Sequence, residues 1–104
     1  MNESPEYHIN FDISKLDAIS KIVLKEAWLK PLNQKLKDLC LYSNDRYGFN
    51  YKIKDDKLCI SIKAPEKSID DLAQRIVKSG TDIIKGLTQN QPNAKKDLAY
   101  ERKT

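Results

Sequence analysis

Apolar and polar side chains alternate strictly near the start of the chain. Tyr7, Ile9, Phe11 and Ile13 are interleaved with His8, Asn10 and Asp12. Period two is the pattern of a strand with one covered face. At Ser14 the period lengthens. Leu16, Ile19, Ile22, Val23 and Leu29 recur at helical spacing and predict a helix that turns this face to the core. Ser14, with Asp17 three residues on, reads as its N-cap. Pro31 interrupts the run, since proline lacks an N–H and disfavours helix at Lys30. A second helix is expected from about Pro31 to Tyr42, with a stripe of Leu32, Leu36, Leu39 and Cys40. The pattern leaves open whether Pro31 kinks one helix or separates two. "SNDRYG" at 43–48 is turn chemistry.

The next stretch, "YGFNYKIKDDKLCISIK" at 47–63, returns to period two. With Asp55 and Asp56 at a hairpin tip, Ile53 faces Leu58, Tyr51 faces Ile60, Phe49 faces Ile62 and Tyr47 faces Ala64. A slip of one residue would set each of them against a polar partner, so the pattern itself specifies the register. In "APEKSIDDL" the period changes again. Ser68 reads as an N-cap, with Asp70 and Asp71 at the positive helix end. Ile69, Leu72, Ala73, Ile76, Val77, Ile83, Ile84 and Leu87 then form a broad stripe. Gly80 lies within it, and either admits a close neighbour or ends the helix. Few apolar residues follow Leu87. Residues 7–88 are expected to form the domain, with 1–6 and 89–104 as flexible tails.

These elements give the order β-α-α-β-β-α. They predict a small single α+β domain, a three-stranded sheet with helices packed on one face. A split βαβ unit with an added hairpin strand and helix is the leading topology. The alternative is a winged-helix-like arrangement, with 31–42 as recognition helix and the hairpin around Lys54 and Lys57 as wing. In either, the aromatic row Tyr47, Phe49 and Tyr51 shares its face with Ile and Leu. That company places it inside, with Ile60, and not on an exposed platform for stacking bases.

Composition adjusts this picture only slightly. The chain has 104 residues, enough for one core. It is 39% hydrophobic and 33% charged, with a net charge of +4. No apolar run reaches the length of a membrane span, and the first residues lack the basic and apolar regions of a secretory signal. Two cysteines, Cys40 and Cys59, make no disulfide framework and fit a reduced cytoplasmic protein.

Chemistry is sparse. His8 is the one histidine, and with two separated cysteines it makes a poor metal set. A Cys59–His8 nucleophile pair has no support from the surrounding residues. The three glycines form no phosphate-cradling loop. No catalytic, cofactor or metal site is expected, and the chain reads as a non-enzyme.

Surface charge is more informative. Lys52, Lys54, Lys57 and Lys63 project from the polar face of the hairpin, with no hairpin acid among them. Lys35 and Lys37 stand on the helix 31–42, beside Asn33 and Gln34. These six lysines are the candidate contacts for a protein partner or for nucleic acid. The expected function is that of a small regulatory or adaptor protein that binds a protein partner, of inhibitor, immunity or secretion-accessory type. Nucleic-acid binding through the basic hairpin face and helix 31–42 is the alternative. Leu29, Leu32, Leu36 and Leu39 keep heptad spacing, so a homodimer is a further candidate assembly.

Overall fold

The computed structural model describes residues 5–42 and 46–90. Strand β1 (Glu6–Asp12) leads into helix α1 (Ala18–Leu24). A single π-turn, Lys25–Leu29, joins α1 directly to α2 (Lys30–Tyr42). The hairpin β2 (Gly48–Lys54) and β3 (Lys57–Lys63) follows, then the long helix α3 (Glu66–Gln89). The sheet order is β1-β3-β2, with β3 antiparallel to both neighbours. β1 and β2 are therefore parallel to each other and connected by a helical crossover, which is the split βαβ topology. The fold is a small α+β domain in the expected order. Of the expected tails 1–6 and 89–104, residues 1–4 and 91–104 lie outside the described residues, as do residues 43–45 of the turn; Glu6 begins β1 and Gln89 ends α3.

The hairpin register is as the alternation specifies. Phe49 faces Ile62, Tyr51 faces Ile60 and Ile53 faces Leu58. The ladder ends at Gly48–Lys63, so Tyr47 and Ala64 lie just outside it. Asp55 takes φ 55° at the tip, a left-handed conformation that a short Asx side chain tolerates. β1 adds Tyr7, Ile9 and Phe11 to the same apolar face, opposite Ile62, Ile60 and Leu58. Helices cover that face: α3 rests on β1 and β3, α2 on β2, and α1 on α3. Ile13, Leu24, Leu29, Leu58, Ile60, Ile62 and Ile69 are fully buried between the layers. The aromatic row is part of this interior, but at its margin. Tyr47, Phe49 and Tyr51 are half-buried and packed against the core.

Local boundaries differ from the sequence reading for identifiable reasons. Asp17, not Ser14, caps α1: its carboxylate accepts from the Ser20 N–H at 2.7 Å. Ser14 is used earlier, in a turn where its N–H donates to Asp12 at 2.9 Å. α3 begins at Glu66 after Pro65, whose carbonyl accepts from Ser68 and Ile69, so Ser68 lies in the first turn and is not the cap. Proline in the capping position suits a helix start, because no N–H is needed there.

Pro31 neither breaks the helix nor separates two. The Lys30 N–H bonds to the Lys25 carbonyl, five residues back, and the helix runs on. This inserted residue rotates everything before it by about 100° relative to an unbroken helix. Ser20, Leu24 and Trp28 consequently face the core. Ile19, Ile22 and Val23, expected inside, are exposed. The continuous helix also leaves no turn between α1 and α2, so the helix-turn-helix of a winged-helix arrangement is not formed.

Candidate functional site

Two surfaces carry the expected contacts, and they lie on opposite sides of the sheet. Lys52, Lys54, Lys57 and Lys63 are exposed on its open face, whereas Lys35 and Lys37 stand on α2 in the helical layer. The structure thus brings four of the six lysines together and separates the other two from them.

The open face is less basic than the hairpin alone suggests. β1 lies beside β3 and contributes acids at both ends. Glu6, opposite Lys63, approaches its ammonium at 3.5 Å. Asp12, opposite Lys57, is held below the usual carboxylate range, chiefly by hydrogen bonds from the Ser14 hydroxyl and N–H, with Lys15 and Lys57 adding to the effect. At the tip, Asp56 pairs with Lys21 at 3.6 Å. This compensation was hidden in the sequence because it depends on which strand neighbours β3.

The same face places His8 across from Ser61, and Cys59 across from Asn10, so the Cys59–His8 pair does not form in the ladder. His8 Nδ1 lies 3.0 Å from Ser61 Oγ, and Nε2 lies 2.9 Å from Glu6. The order hydroxyl, imidazole, carboxylate matches a nucleophile relay. The chain nevertheless stands on an open surface, and β3 is the central strand, so its N–H groups are turned to ladder bonds and not to an oxyanion. We read Ser61, His8, Glu6 and Lys63 as a cross-strand network fastening β1 to β3.

The helical side offers a different geometry. α1 rests on α3 and α2 leans on β2, so α2 and the first half of α3 stand apart. Between them runs a groove of about 390 Å³, floored by Trp28, Leu32, Leu36, Leu72 and Ile76. Leu39 and Tyr47 also line it. The Trp28 indole N–H donates to Ser79 Oγ at 3.0 Å, so the polar atom of this largely buried ring is satisfied where it borders the groove. Cys40 fixes the end of α2, as its sulfur takes the Tyr47 N–H and meets the Tyr47 carbonyl, both at 3.2 Å.

Lys35 stands on the α2 rim and forms no ion pair with a described residue. On the α3 rim Arg75 pairs with Asp71 at 2.9 Å. Of the six candidate lysines, Lys35 alone borders the groove. The sequence contained its floor as ordinary stripe residues. What it lacked was the divergence of α2 from α3, which makes part of that stripe a surface.

The chain matches no family model, no curated protein and no solved structure. Function is therefore to be read from the groove and the sheet face themselves. Among the described residues, no helix is long and apolar enough to cross a membrane.

Proposed function

We propose that the protein is a small regulator or adaptor that binds another protein, and that the partner lays an amphipathic helix in the groove between α2 and α3. The observation that carries this reading is the groove itself: an apolar floor with a charged rim, held open by a well-packed domain. A helical occupant is favoured over an extended one on hydrogen-bonding grounds. Both walls are helices whose backbone groups already bond internally. An extended peptide would bury its own N–H and C=O groups there without partners, whereas a helix arrives with them satisfied. Leucine-type residues at i, i+3 and i+4 would fill the floor, and an acidic residue would meet Lys35.

The chain has one tryptophan, so Trp28 emission reports directly on the groove. A partner recovered by affinity capture should alter that emission on titration. Leu39→Arg or Lys35→Glu should abolish its binding, while Lys52→Glu with Lys54→Glu should leave it intact. Loss with the sheet-face pair alone, together with oligonucleotide binding that fades steeply with salt, would transfer the function to nucleic acid and the open face.

A further inference from the structure

β2 is an edge strand. Among the described residues no strand lies beyond it, and no turn or loop backbone bonds to Gly48–Lys54. The row of N–H and C=O groups on its outer side is therefore open to another chain. The strand pairs with β3 one to one, from Gly48–Lys63 to Lys54–Lys57. Neither a bulge nor a proline interrupts this edge.

Its side chains describe what fits there. Towards the helices stand Phe49, Tyr51 and Ile53, all half-buried, whereas Leu58, Ile60 and Ile62 on the central strand are wholly buried. The two rings lie side by side, with centroids 6.1 Å apart. A further strand would cover their outer flank with its own apolar side chains. On the other face stand Asn50, Lys52 and Lys54. Neither lysine forms an ion pair with a described residue. The opposite edge differs. On β1, Glu6 already meets His8 at 2.9 Å and Lys63 at 3.5 Å, and Asp12 accepts the Ser14 N–H at 2.9 Å. Uncompensated charge thus singles out β2.

We infer that β2 takes up an extended segment of a partner protein as a fourth strand, and that this segment alternates apolar residues with Asp or Glu. Apolar residues opposite Phe49, Tyr51 and Ile53 continue the covered face, and acids opposite Lys52 and Lys54 form cross-strand ion pairs. Period two supplies both from one strand. A second copy of β2 is the wrong occupant, because it would add two more lysines to the same face. The lysines oppose self-pairing and select an acidic strand, so the same side chains give both exclusion and specificity. This edge is separate from the α2–α3 groove, and the inference does not rest on the groove.

The test is an NMR titration of the full, isotope-labelled chain with two short blocked peptides, one alternating valine with glutamate and one alternating valine with lysine. The glutamate peptide should shift the amide signals of 48–54 and slow their hydrogen exchange. It should bind at least about tenfold more tightly than the lysine peptide. N-methylation of its backbone should abolish binding, because the donors to β2 are then lost. Lys52→Glu with Lys54→Glu, its fold checked by circular dichroism, should reverse the preference between the two peptides. Leu39→Arg, in the groove, should change neither affinity. Shifts centred on Trp28, Leu72 and Ile76 would place the peptide in the groove and overturn the inference. Equal affinity for the two peptides, or no shift in 48–54 at millimolar peptide, overturns it as well and leaves the groove reading standing.

Discussion

At the scale of single residues, Gly80 is the most tightly enclosed of the chain's three glycines. A Cβ placed there would lie 2.5 Å from Phe11 Cζ and 2.7 Å from Trp28 Cη2. These two rings meet edge to face, with centroids 5.8 Å apart, directly beneath α3. Gly80→Ala should therefore destabilise the protein by about 1–3 kcal/mol through overpacking, even though alanine is the better helix former. Gly86 in the same helix has nothing within 4 Å, and Gly86→Ala should stabilise by about 0.5–1 kcal/mol. Urea denaturation of the two variants checks both signs. Core depth makes a second contrast. Ile60→Ala, at a fully buried site, should cost about 2–5 kcal/mol. Phe49→Ala, at the half-buried margin, should cost less than a fully buried phenylalanine would. Tyr7 adds a pH dependence. Its hydroxyl donates to Asp70 at 2.5 Å, and that bond, with slight desolvation and the nearby charges of Asp70 and Glu66, raises the phenol above its usual range. A raised folded pKa means the stabilisation is complete below the unfolded value, near pH 10, and is lost as pH rises through the folded one. Tyr7→Phe should flatten the alkaline limb of a stability–pH curve.

At the scale of elements, the π-turn decides which side of α1 is the inside. In an unbroken α-helix Ile22, Leu29 and Leu36, seven apart, would share a face. The extra residue moves Ile22 out and Leu24 in. Leu24→Ala should accordingly cost about 2–5 kcal/mol, whereas Ile22→Ala should change stability by less than about 0.5 kcal/mol. Chemical denaturation distinguishes the two faces directly, and a reversed ranking would mean that the helix is unbroken. The hairpin shows the opposite case. There the alternation admits one register, every apolar pair agrees on it, and a two-residue tip closes it, so strand pairing was legible without a structure. The heptad-spaced leucines are divided between core and groove: Leu29 and Leu36 are buried, while Leu32, half-buried, and Leu39, 40% exposed, line the groove.

At the scale of the molecule, the two faces differ in what they ask of a partner. The open sheet face carries acids and bases in proximity, so its interactions should be weak and quenched by modest salt. An oligonucleotide gel shift should show at most a salt-sensitive smear, and Lys52→Glu with Lys54→Glu should remove it while thermal unfolding stays within the range of ordinary surface changes. The groove side is apolar and should tolerate salt. Binding that survives in high salt and responds to Leu39 would place the working surface among the helices.

The sequence by itself determined the element order, the apolar face of the sheet and the hairpin register. Each is written in local periodicity and in the requirement that one buried face be apolar throughout. Tertiary structure alone decided the rest. Whether Pro31 broke the helix depended on a hydrogen bond from Lys30 to Lys25, a choice of backbone geometry that side-chain spacing does not encode. That choice exposed Ile19, Ile22 and Val23. The neutralisation of Lys63 by Glu6 required β1 to lie beside β3, a long-range pairing. The groove required α2 and α3 to diverge while resting on the same sheet. A stripe of leucines specifies that something must cover it, but which atoms are left to a partner is fixed only by where the covering helices come to rest.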